Sequence, residues 1–156
     1  VVRNYFYAVH KHIRLDSLRH SSYEPLAEAA RKIMTEQYYH LMHWEIWFKQ
    51  LMTSTDEATL RMTAAIQKVW KDFGGVLTLG PYYEDIVKAN FIDDENVMKK
   101  RWNNKIEAVL KEVGASYPGE PRMERGNGRN GVHTEDLKQA TATLSEVYAT
   151  NPATGW

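Results

Sequence analysis

Cysteine is absent from the 156-residue chain, which excludes a disulfide framework, thiol catalysis and thiolate metal ligands. Net charge is absent as well. Twenty Lys and Arg balance twenty Asp and Glu, so the chain lacks the electrostatic footprint of a nucleic-acid binder or of a protein drawn to anionic membrane. No apolar run approaches the ~20 residues needed to cross a bilayer. Arg3 and Asn4 interrupt the start, where a secretion signal would carry its apolar core. Strand-like alternation is missing throughout. What is present is apolar and aromatic: 43% hydrophobic residues, with five Trp and nine Tyr, a composition that argues against disorder. A chain of this length buries roughly 70% of its unfolded surface without crosslinks. The expectation is one all-α domain over residues 1–156, working in the cytoplasm.

Apolar residues recur at helical spacing in five stretches. Val2, Phe6, Val9 and Ile13 mark the first. Ser22, Glu24 and Pro25 supply start signals for a long second helix. Its stripe reads Leu26, Ala30, Ile33, Gln37, His40, Trp44, Trp47 and Leu51. Ser54 and Glu57 form a capping box for a third helix carrying Leu60, Ala64, Val69 and Trp70, and Gly74-Gly75 stops it. After a turn at Gly80-Pro81 and a short amphipathic stretch, Asp93 caps a helix bearing Val97, Met98, Trp102, Ile106, Val109 and Leu110. Residues 114–131 hold five glycines, two prolines and three arginines and read as a loop. Thr134 caps a final helix through Tyr148, with Leu137, Leu144 and Val147 available for packing. The start, Val1-Val2-Arg3-Asn4-Tyr5-Phe6, already reads as helix interior. The domain is therefore expected to be the C-terminal part of a longer bundle whose upstream helices are missing.

One polar cluster stands out. Helical spacing puts Glu36, His40 and His43 on one face, and Asp16 and His20 form a second pair at i,i+4. Carboxylates and imidazoles projecting inward from neighbouring helices are how a bundle builds a metal site. A di-iron bundle uses Glu-x-x-His twice, yet no Glu of this chain has His three residues later. After Glu36 that position is Tyr39, and His40 arrives one residue, about 100°, late. The two readings are a metal site and a buried hydrogen-bonded network; the broken motif favours the network, with His40 inside the bundle near Asp16 or His20. No catalytic residue and no metal ligand set is assigned. Gly126-Asn127-Gly128-Arg129-Asn130-Gly131 lacks the Lys-Ser/Thr ending of a phosphate loop and follows no strand. Val2, Phe6, Trp44 and Trp47 are large enough to need covering by further residues or a second chain.

Longer strings carry a resemblance. Ser22-Tyr23-Glu24-Pro25-Leu26-Ala27 and Glu36-x-x-Tyr39-His40-Leu41-x-His43 resemble the non-catalytic C-type subunit of ring 1,2-phenylacetyl-CoA epoxidases. So do Arg61-Met62, Val69-Trp70, Arg101-Trp102, and Gly131-Val132-His133-Thr134-Glu135-x-Leu137 ending in Pro152 and Trp156, in family order. Arg129 and Asn127 stand where that family carries lysine and glycine. The resemblance implies a ferritin-like helical bundle with no cofactor of its own. It also implies pairing with an A-type subunit that holds the di-iron centre and binds phenylacetyl-CoA, beside other subunits and a reductase. The remaining readings are an autonomous ferritin-like metal-dependent oxidase with Glu36, His40 and His43 as ligands, and a helical interaction module.

Overall fold

The computed structural model describes residues 1–153, so Trp156 at the end of the C-terminal signature lies outside it. Among the described residues six α-helices follow in order: α1 Val2–Leu18, α2 Glu24–Met52, α3 Asp56–Trp70, α4 Tyr83–Lys88, α5 Glu95–Glu112 and α6 Glu135–Thr150. Single 3₁₀ turns occupy Phe73–Leu77 and Gly128–Asn130, and no strand occurs among the described residues.

Local chemistry sets the helix boundaries. Pro25 sits in the first turn of α2, where its missing N–H is not needed. The caps of α3 and α5 fall one residue later than the sequence reading placed them. Thr55 Oγ1, not Ser54, accepts from the Ala58 amide at 3.2 Å. Asp94, not Asp93, accepts from the Asn96 amide at 2.8 Å. In each case two adjacent residues have capping side chains, and the fold uses the second. Thr134 does precede α6, but its side chain makes no capping bond to the helix backbone.

The core is aromatic and centres on α1. Helices α1 and α2 run antiparallel: Tyr5 meets Phe48 at 4.9 Å, while Arg31 reaches the Arg19 carbonyl toward the other end. Phe6, fully buried, makes T-shaped contacts with Trp70, Phe73 and Trp102, with ring centroids 5.6–5.9 Å away. The expected series Val2, Phe6, Val9 and Ile13 is buried throughout. Val2 and Phe6, expected to need an external cover, are buried within the chain's own core instead.

Two stripes differ from the sequence reading. On α2 the buried residues are Ala27, Ala30, Gln37, Phe48 and Met52, whereas Ile33 and Trp47 are 39% and 45% exposed. Three residues of helix rotate Ile33, His40 and Trp47 about 60° from the Ala30–Gln37–Trp44 row, toward the outside. On α3, Met62, Ile66 and Trp70 face inward and Leu60 is 71% exposed. Helix α6 buries none of its residues, so Leu137, Leu144 and Val147 do not pack as expected.

The glycine-rich segment crosses the end of α3 and seals the core there. Trp70 Nε1 donates to the Gly119 carbonyl at 3.0 Å, and the amides of Arg122 and Glu124 donate to the carbonyls of Trp70 and Lys71. The Gly74 amide returns a bond to the Arg122 carbonyl. A Cβ at Gly74 would lie 2.8 Å from the Pro121 carbonyl oxygen, a backbone atom with no freedom to yield. Gly74→Ala is therefore expected to destabilise the chain by about 1–3 kcal/mol through overpacking, read as a lowered urea midpoint. An unchanged midpoint would show that this segment does not lie against the 3₁₀ turn.

Candidate functional site

The polar residues singled out in the sequence do not meet. Glu36, Tyr39, His40 and His43 all lie on the exposed face of α2. Tyr39 packs edge-on against Tyr38 at 5.4 Å, and His43 against Trp44 at 4.9 Å and Trp47 at 6.4 Å. The expectation that His40 is buried in a polar network is thus wrong. The row containing His40 turns outward, and the Gln37 row packs on α1 in its place. His20 is exposed and lines a hollow with Asp93 and Asp94. Asp16 faces α5, where Arg101 Nη2 donates to its Oδ2 at 2.6 Å. Among the described residues, no three His, Asp or Glu side chains gather to hold a metal ion. A di-iron centre, which needs several convergent carboxylates and imidazoles, finds no fitting donor set in these side chains.

What the fold does assemble is a charged seam across α1, α2 and α5. Asp16 is held by Arg19 at 2.7 Å and by Arg101, which also reaches Asp93 at 4.0 Å. The Arg101 hydrogen bond keeps the Asp16 carboxyl below its ordinary range, and the positive charges of Arg19 and Arg101 add to that. Further along, Lys105 and Lys49 share Glu45, at 3.4 and 2.9 Å, and Lys49 also reaches Glu112 at 2.8 Å. Burial pushes the Glu45 carboxyl up, but the bonds and charges of these two lysines outweigh it and leave the carboxyl lowered. Glu112 and Glu45 in turn raise the Lys49 ammonium. The arrangement neutralises charge between three helices and fixes their register. His12 lies beside it, lining a hollow with Arg101 and Lys105.

Buried polar groups carry the rest. Gln37 Nε2 donates to the Ala8 carbonyl at 3.0 Å, tying α2 to α1 inside the core. His10 is 5% exposed, and its Nε2 has no hydrogen-bond partner among the described residues. Burial lowers its pKa to about 3, helped by the positive charges of Arg14 and Arg129. Sequence reasoning placed Gln37 on the stripe of α2 and gave His10 no role. Its usable signals were Gln37 within an otherwise apolar row and the short-range pairs Asp16–Arg19 and Glu45–Lys49; the cross-helix partners of Glu45 and Asp16 lie 60 and 85 positions away.

The signature residues cluster around the second 3₁₀ turn. Asn127 Oδ1 accepts from the Arg129 amide at 3.0 Å, and Gly131 closes the turn in the left-handed region at φ 80°. Arg129 Nη2 lies 3.5 Å from the Val76 carbonyl, and Glu135 pairs with Lys138 at 3.3 Å. His133 is exposed and lies beside Gly128; Thr134 is half-buried. The string thus forms a turn and a helix start, without a catalytic constellation.

The chain is 25% identical over its whole length to the C subunit of the 1,2-phenylacetyl-CoA epoxidase of Escherichia coli (strain K12). It spans 62% of the length of that relative. The all-helical architecture agrees with the ferritin-like bundle that the resemblance implied. The description "Phenylacetic acid catabolic protein" fits residues 1–156, the entire chain. A match running from the first residue to the last settles the kinship: this protein belongs to the phenylacetic acid catabolic protein family.

Proposed function

We propose that this chain belongs to a non-catalytic, C-type subunit of a cytoplasmic oxygenase that epoxidises the aromatic ring of phenylacetyl-CoA. In this reading its partner is an A-type subunit that holds the di-iron centre, with a reductase supplying electrons to the complex. The single observation that carries it is the full-length family match, with an epoxidase C subunit as the related protein. The scattered donors on α2 and the neutralised seam support a scaffolding role. These side chains hold helices in register.

The face that would meet a partner is the outer face of α2. Tyr38, Met42, Ile46 and Trp47 are 42–58% exposed along it, an apolar band suited to a protein interface. A permanent pairing of this kind buries more than about 2,000 Å², and an aromatic anchor carries a disproportionate share of the energy.

The test is co-purification of the full-length protein with an A-type subunit. Trp47→Ala should weaken the pairing by roughly 2 kcal/mol or more, about thirtyfold, while far-UV circular dichroism stays unchanged. The full-length chain purified alone should hold no stoichiometric iron and show no epoxidase activity. Iron near two atoms per chain would favour an autonomous oxidase. Failure to pair with any A-type subunit would leave a helical module of another kind.

A further inference from the structure

On the side of α1 away from the charged seam, its first two turns face α3 and the 3₁₀ turn Phe73–Leu77 across a cleft of about 540 Å³. That size lies within the roughly 300–1,000 Å³ typical of small-molecule sites. The side chains of Val69, Phe73 and Val76 give it an apolar floor. Phe73 is fixed there because its other face stacks on Trp102 at 5.0 Å and 20°.

Two cations, Arg3 and Lys68, line the same cleft, and neither forms an ion pair with any described residue. The cleft's acid, Asp72, is already engaged: it accepts from the Arg125 amide at 2.7 Å and lies 3.6 Å from Arg125 Nε. Asn4 and Tyr7 add neutral donors at the wall. What sets these two positive charges apart is their place: both line one cleft beside the buried Phe73.

We infer that this cleft binds a small amphipathic anion, an apolar carboxylate whose hydrocarbon body lies on Val69, Phe73 and Val76. Arg3 and Lys68 meet the carboxylate, and Asn4 or Tyr7 donates to whichever oxygen lone pair remains. The assignment is independent of the subunit role, because it rests on the α1–α3 cleft and not on the outer face of α2.

The experiment is isothermal titration of the full chain with octanoate and with octanamide, its uncharged isostere. Octanoate should bind one to one, and octanamide about tenfold more weakly, the difference expected for losing a charge-assisted contact. Arg3→Gln and Lys68→Gln should each weaken octanoate and leave octanamide unchanged; together they should abolish the preference for the anion. Both positions are exposed, so circular dichroism should show the fold intact in each variant. The inference is overturned if the two probes bind equally, if the double variant keeps its preference, or if neither probe binds. It is also overturned if an A-type subunit displaces octanoate, which would make the cleft a protein interface.

Discussion

Trp102→Ala is expected to bring the chain to the margin of folding. The side chain is 1% exposed, stacks on Phe73, lies 5.6 Å from Trp70, and donates from Nε1 to the Phe6 carbonyl at 3.0 Å. Truncating a buried Trp costs about 3–5 kcal/mol, and each lost aromatic pair adds roughly 0.5–1.5 kcal/mol beyond area. Against a total stability of about 5–15 kcal/mol, that is a large fraction. The melting temperature should fall by roughly 10–20 °C, at 2–4 °C per kcal/mol for this size. Trp102→Phe should restore more than half of the loss, since it keeps the stack and gives up only the indole bond. A melting temperature unmoved by the alanine would mean that α1, α3 and α5 do not converge on this residue.

Acid should weaken the fold well above the carboxylate range, and His10 is the reason. Its pKa is lowered from 6.5 to about 3 in the folded chain, first by burial and then by Arg14 and Arg129. Native His10 is therefore neutral where the unfolded chain takes up a proton. The unfolded state binds more protons below pH 6.5, so stability is complete above that value and declines as pH falls from 6.5 toward 3. The upper limit of the effect is roughly 5 kcal/mol, at 1.36 kcal/mol per unit. His12 is lowered too, again first by burial, and acts in the same direction. Asp16 and Glu45, whose carboxyls are lowered, lose their stabilising contribution only as pH falls through the carboxylate range. Urea unfolding at pH 7.5, 5.5 and 4.5 separates the two windows. His10→Phe, which fills the same buried position without a titrating group, should flatten most of the slope between pH 6.5 and 4.5. An unaltered slope in that variant would assign the acid sensitivity to other groups.

The fold class and the inward rows of α1 and α5 were legible in the sequence because apolar spacing there admits one solution. From Met98 through Trp102 and Ile106 to Leu110, α5 offers no competing apolar face. Helix α2 admits two. Its Ala30–Gln37–Trp44–Leu51 row is flanked by Met34, Leu41 and Phe48 on one side and by Ile33, His40 and Trp47 on the other. Both flanks are apolar enough to pack. Which of them turns inward is decided by Tyr5 on α1, against which Phe48 seats. Periodicity within α2 carries no record of that choice, and the misplaced His40 follows from it. The seam was hidden for a related reason. Asp16 was noticed for its spacing to His20, but its partner Arg101, like the Lys105 partner of Glu45, is brought to it only when α5 folds against α1 and α2.

The unpacked state of α6 bears on how the molecule can be handled. A helix of 16 residues with no buried side chain adds little to the cooperative unit formed by α1, α2, α3 and α5, and an isolated helix of that length is only marginally stable in water. Cleavage by a protease just before Glu135 would shed α6 and leave the aromatic core with all its contacts. The same independence makes the region beyond Glu135 a permissive place to attach a fluorophore, an affinity handle or a fused domain.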